Sequence, residues 1–149
     1  MKTTLNKILE HSPEIEEFET LLQSLNKTQA DDEPLEFSHI LESNDLYGAL
    51  WCLRTVDGIK ESILNYISFC NSQCSEIGHE YEEFDLSDDS PSNLSDIAYE
   101  AHINALMAIE FFPVDEALFH NSATYDQARF EAADRAKEAQ KQKFIELFC

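Results

Sequence analysis

Seven carboxylates, Glu76, Glu80, Glu82, Glu83, Asp85, Asp88 and Asp89, fall within the fourteen residues EIGHEYEEFDLSDD (76–89), and no Lys or Arg interrupts them. Such a density can hold a metal ion, carry out acid–base chemistry, or attract a basic macromolecule. Calcium is a poor fit. Asp85, Ser87, Asp89 and Asp96 occupy positions 1, 3, 5 and 12 of a possible twelve-residue loop, but Ser90 stands where the sharp turn needs glycine, Pro91 follows it, and Asp replaces the bidentate Glu. Weak association is the most this pattern supports. For zinc, Cys70, Cys74 and His79 lie close in sequence, with Cys52 upstream, yet the second pair of ligands that a structural site requires is missing. Cys70 and Cys74 also continue an apolar stripe, which explains them as small hydrophobes. No metal and no cofactor is expected.

Catalysis finds little support. His11, His39, His79, His102 and His120 are the possible bases, but no nucleophile elbow, zinc-protease, P-loop or dinucleotide motif accompanies them. Asp96 and Glu100 are one helical turn apart, while His102 is offset from both. The chain is not expected to be an enzyme.

Recognition by charge remains. The formal charge is -20, and it is distributed unevenly: residues 61–123 carry thirteen acids and no Lys or Arg, whereas residues 124–149 carry five of each. Carboxylates three or four apart on a helix are roughly 6 Å from one another, comparable to the interval between phosphates along a nucleic-acid strand. An ordered surface of that kind suits the basic groove of a protein effector, and repels DNA, RNA and anionic lipid. The expected partner-binding residues are Glu76, Glu80, Glu82, Glu83, Asp85, Asp88 and Asp89, with Asp96 and Glu100 on the following helix. Tyr81 and Phe84 lie within the acidic run and could act as apolar anchors or as tethers.

The elements that must position these groups read as helices. Ile59, Ile63, Tyr66, Ile67, Cys70, Cys74 and Ile77 recur at intervals of three or four, as do Leu94, Ile97, Ala98, Ala101, Ala105, Leu106, Ile109 and Phe112. Leu5, Ile8 and Leu9 precede Ser12-Pro13, which has the form of an N-cap followed by proline at the first helical position, and Ile15, Phe18, Leu21, Leu22 and Leu25 continue behind it. Residues 35–41 are read as a short turn or helix. A further helix is expected to begin at Ser43 to Asp45 and to end before the Asp57-Gly58 turn. Thr124-Tyr125-Asp126-Gln127 resembles a capping box, and the helix after it presents Tyr125, Ala128, Ala132, Ala136, Ala139, Phe144 and Leu147. Its alanines predict a central position in the bundle. The expectation is one all-α domain over 1–149, a compact bundle of five to seven helices with an acidic connection near 78–93. No apolar run is long enough for a membrane span, the N-terminal residues lack the apolar region of a signal peptide, and the cytoplasm is the expected compartment. Free cysteines are expected there.

Two segments, DLYGALWCLRTVDG (45–58) and DQARFEAADRAKEAQKQKFIELF (126–148), resemble the all-helical immunity proteins found beside secreted toxins in bacterial polymorphic-toxin systems. Ala49, Leu50, Trp51, Cys52, Leu53 and Arg54 match the first motif; Gln140, Phe144 and Leu147 match the second, with Ala139 where the family often has an aromatic. The resemblance implies a helical inhibitor that neutralises a toxin or nuclease, with Trp51 and Arg54 holding helices together and Arg54 paired to a carboxylate. A nucleic-acid-mimicking anti-restriction or anti-CRISPR inhibitor uses the same electrostatics. A peptide-binding adaptor is the third reading.

Overall fold

The computed structural model describes residues 1–76, 84–111 and 122–149; for Glu76, Phe111 and residues 122–125 it describes the backbone alone. A two-residue strand, β1 (Lys2–Thr3), pairs antiparallel with β2 (Leu35–Glu36) in the register Lys2↔Glu36 and Thr3↔Leu35. Between them lie α1 (Leu5–Glu10) and α2 (Ile15–Ser24), and after them come α3 (Phe37–Cys52), a 3-10 turn (Leu53–Thr55), α4 (Lys60–Glu76), α5 (Pro91–Phe111) and α6 (Ser122–Phe148). The fold is all-α apart from this small ribbon, with six α-helices among the described residues. The ribbon pins the N-terminus: the Thr55 hydroxyl donates to the Cys52 carbonyl at 2.7 Å, so the Thr3 hydroxyl, 2.6 Å from Thr55 Oγ1, supplies the proton between them.

Most of both long apolar stripes is buried, but Leu106 and Ile109 of the second are only half-buried and Ala108 takes the core position there, while Ile59 immediately precedes α4. Ile63, Tyr66, Ile67, Cys70 and Cys74 are buried on α4, as is Ile59 before it, and Leu94, Ile97, Ala98, Ala101 and Ala105 on α5. Ile77 and Phe112 lie outside the described residues. The small side chains of α5 let α4 approach closely, and Phe37, Tyr66, Phe144 and Phe148 fill the far side of the core, with the Phe144 and Phe148 ring centroids 4.8 Å apart.

Five expectations about elements change. Ser12-Pro13 does not cap a helix: Ser12 adopts φ 55°, and α2 starts two residues after the proline, with Glu14 preceding it. Leu9 and Ile15 consequently face outward, Ile15 at 75% exposure. The segment 35–41 is two elements, because Leu35 and Glu36 satisfy their backbone on β1 before α3 begins. α5 begins at Pro91, three residues before the apolar stripe, where the proline needs no N–H and Ser90 Oγ accepts from the Asn93 amide. Finally, α5 and not α6 is central, touching α3, α4, α6 and the 3-10 turn. The buried side of α6 is Ala133, Ala136, Gln140, Phe144 and Phe148, while Ala128, Ala132, Ala139 and Leu147 are only half-buried. Alanine fits a core or a boundary equally well, and the polar Gln140 concealed the true register. The helix also starts before Thr124, so the capping-box reading does not mark its first turn.

Candidate protein-binding face and groove

Asp45 interrupts α3 with φ 58° and ψ -166°, a backbone conformation that a non-glycine residue adopts at a cost of about 1–3 kcal/mol. Its side chain then starts the second half of the helix, Oδ1 accepting from the Tyr47 amide at 2.7 Å. The expected helix start at Ser43 to Asp45 is realised as this internal break. The break folds the preceding turn over Gly48, where a Cβ would lie 2.6 Å from Asn44 Cβ. Asn44 Nδ2 in turn donates to the Glu17 carbonyl at 2.7 Å, fixing α2 against the break.

This junction gathers charge that no local window of sequence displays. Burial, followed by repulsion from Glu14 and then Asp45, raises the Glu17 carboxyl above its ordinary value. Among the described residues no Lys or Arg forms an ion pair with Glu14, Glu17 or Asp45. Tyr47 stands beside them, half-buried, and packs edge-on against Tyr99 of α5 with ring centroids 4.9 Å apart. Burial and then the Glu17 carboxylate push the Tyr47 phenol up as well. Asp96 and Glu100, both exposed, lie one helical turn apart on either side of Tyr99 in sequence.

The predicted acidic residues divide sharply by position. Glu80, Tyr81, Glu82 and Glu83 lie outside the described residues, as does the Glu76 side chain. Phe84 is half-buried against the core and tethers the chain there. The Ser87 side chain first, and then the Ser87 amide that donates to Asp85 Oδ1 at 2.9 Å, lower the Asp85 carboxyl, and Asp88 Oδ1 accepts from the Ser90 amide at 2.9 Å. Asp89 pairs with Lys60 at 3.1 Å, and Asp96 with Arg54 at 2.7 Å. Arg54 also donates through Nε to the Trp51 carbonyl at 2.9 Å and lies over the Trp51 ring, 4.2 Å from its centroid. Arg54 thus has a carboxylate partner in Asp96, while Trp51 is half-buried and not enclosed between helices.

Next to the tyrosines, a groove of about 860 Å³ runs between the break in α3 and the exposed side of α6, lined among others by Leu41, Asp45, Tyr47, His102, Leu106 and Lys137. His102 is only 7% exposed. A buried amide relay orients it: Gln140 Nε2 donates to Gln73 Oε1 at 2.6 Å, which leaves Gln140 Oε1 to accept from His102 Nδ1 at 2.5 Å. Burial lowers the His102 pKa, outweighing the opposing effects of Gln140 and Asp45. No hydroxyl or thiol among the described residues hydrogen-bonds to the imidazole, so the groove offers a hydrogen-bonding ring without an activated nucleophile. The four cysteines are free as expected, and burial holds the Cys52 and Cys70 thiols at about 12, where they are unreactive.

Comparison with protein-family models, with curated proteins and with solved structures gives no match.

Sequence reasoning weighed His102 only against Asp96 and Glu100 and passed over Asp45, Tyr47, Tyr99 and Gln73. The one available signal was Asn44-Asp45, a turn-forming pair inside an otherwise helical stretch. Among the described residues no group of His, Cys, Asp and Glu side chains could hold a metal ion, and no helix among them is long and apolar enough to cross a membrane.

Proposed function

We propose that this protein is an acidic cytoplasmic inhibitor, without enzymatic activity, that docks on a basic protein effector through the face where Glu14, Glu17 and Asp45 adjoin Tyr47 and Tyr99. The observation that carries this reading is the Glu17 carboxyl, partly buried and then repelled by Glu14 and Asp45 with no Lys or Arg ion pair among the described residues, beside two half-buried aromatic rings. A soluble surface gains nothing from a carboxylate whose pKa is raised by burial and then by two acidic neighbours, as that of Glu17 is; an incoming lysine or arginine relieves the repulsion and finds apolar area to cover. Tyrosine in such a setting supplies contact area at low entropic cost, while the surrounding carboxylates accelerate encounter with a cationic partner. The acidic residues of 76–89 extend the same attraction.

An immunity protein acting on a toxin or nuclease is the form of inhibitor favoured by the Trp51–Arg54 motif and the alanine-rich last helix. A nucleic-acid mimic acting on a restriction or CRISPR nuclease would use the same face. Co-expression with the product of the gene immediately upstream tests the reading: a complex should form at low salt, weaken as salt screens the contacts, and protect cells from that product. No complex at low salt together with no protection would overturn it.

A further inference from the structure

The relay that orients His102 decides what its other nitrogen can do. Gln140 gives its N–H to Gln73, so its oxygen is the group facing His102, and Nδ1 must carry the proton to bond with it. In the neutral ring Nε2 then holds a lone pair. Nε2 has no hydrogen-bond partner among the described residues, and it is not among the polar atoms sealed away from solvent without one, a condition met among described side chains by the Tyr66 hydroxyl. The cavity that His102 lines is the groove between the break in α3 and α6. A side chain more than nine-tenths buried thus presents an unpaired acceptor to a cavity.

The rest of the groove specifies the complement. Asp45 spends Oδ1 on the Tyr47 amide, and Oδ2 is without a partner among the described residues. Its charge reaches the His102 ring, as does that of Lys137 from α6; Tyr99 on the same helix packs 6.5 Å from the ring, centroid to centroid. Four carboxylates, Glu42, Asp45, Asp134 and Glu138, line the groove against two ammonium groups, Lys137 and Lys141. Leucines at 41, 46 and 106 supply apolar wall. Two acceptors of hydrogen bonds, a net negative lining and an apolar flank match a planar cationic donor on an aliphatic stem.

We infer that this groove receives the guanidinium of an arginine side chain from the basic partner, donating to Asp45 Oδ2 and His102 Nε2. The inference rests on the docking face proposed above and adds the identity of the anchoring group. Arginine suits it better than lysine, because its rigid fork presents parallel N–H donors to two separate acceptors.

The test uses the full chain labelled with 15N-histidine and agmatine as the probe. Long-range 1H–15N spectra at pH 7.5 should show His102 with Nε2 unprotonated; the opposite tautomer overturns the inference. Agmatine should then shift His102 Nε2 saturably and by more than it shifts the exposed His11 and His39. An equal shift at all three would mean general counter-ion association and would sink it. Asp45→Asn keeps a cap for Tyr47 and should weaken agmatine at least about tenfold; undiminished binding in this variant, with far-UV circular dichroism unchanged, also contradicts the assignment. Failure here is separable from failure of the docking face. A complex with the basic partner that neither agmatine nor Asp45→Asn disturbs removes the arginine anchor alone. Agmatine seated at His102 with no basic protein bound at low salt removes the docking face, and the partner's arginine with it.

Discussion

Two groups of carboxylates, one leading into α5 and one at the junction of α2 with α3, face different circumstances. Where the chain enters α5, Asp85 and Asp88 accept backbone amides, Asp89 meets Lys60, and Asp96 meets Arg54. At the junction of α2 with the break in α3, Glu14, Glu17 and Asp45 crowd together with no Lys or Arg in ion-pair contact among the described residues. The first group helps close a loop and hold α5 to its neighbours. The second works against stability, and under the proposed function its charge is free to meet a basic partner. Density of acid along a sequence therefore says less about a binding surface than whether each carboxylate already has a donor.

That difference should appear first in binding. Glu14→Gln with Glu17→Gln is expected to cost at least about tenfold in affinity for the basic partner, in line with losing charge-assisted contacts at an interface. Asp89→Asn with Asp96→Asn should cost less than about threefold, because each of those carboxylates must leave an existing partner to engage a new one. Isothermal titration at low salt checks both; equal losses would erase the distinction between the two regions.

The break in α3 is the next point of attack, since it brings Asp45 to the face. Gly48→Ala puts a methyl group against Asn44 Cβ, and should lower stability by about 1–3 kcal/mol in urea denaturation despite alanine's better helix propensity. Asp45→Gly should move the other way, gaining about 1 kcal/mol as the backbone strain is relieved, while binding to the basic partner weakens. A variant more stable and less able to bind would identify Asp45 as a residue held for function.

Acid should separate two influences of opposite sign. His102 has a lowered pKa in the fold, so its contribution is intact above the ordinary value of 6.5 and is lost as pH falls from there toward the folded value. Glu17 has a raised pKa, so the folded state gains relative to the unfolded one as pH falls through that raised value. Denaturation at pH 7.5 and 5.5 should show a loss that His102→Gln removes and Glu17→Gln leaves in place.

Much of this architecture was legible because α4 and α5 keep an unbroken three-to-four spacing of apolar residues, and such spacing requires no knowledge of neighbours. α6 was misread for a reason internal to its composition: alanine recurs on two of its sides, and the residue that decides between them, Gln140, is polar and completely buried. Burial of an amide becomes intelligible only when Gln73 and His102, from two other helices, are beside it. Ser12-Pro13 carried the right residue types for a cap, yet the positive φ of Ser12 turns the chain before α2 can begin. The binding face was least accessible. Glu14, Glu17, Asp45, Tyr47 and Tyr99 come from three helices and the loop before α2, and only the packing of α2 and α5 on the broken α3 assembles them. The local acidic run was visible for the opposite reason: it is contiguous, and contiguity does not reveal that Asp89 and Asp96 find cations from Lys60 and Arg54.

The most direct test is an NMR titration of the Glu17 side-chain carboxyl in the full chain, repeated in Glu14→Gln and in Asp45→Asn. Crowding of unneutralised charge requires Glu17 to titrate above the ordinary glutamate range and to shift downward in each variant. A Glu17 that titrates at or below that range, or that ignores both substitutions, would show that these carboxylates do not share one surface.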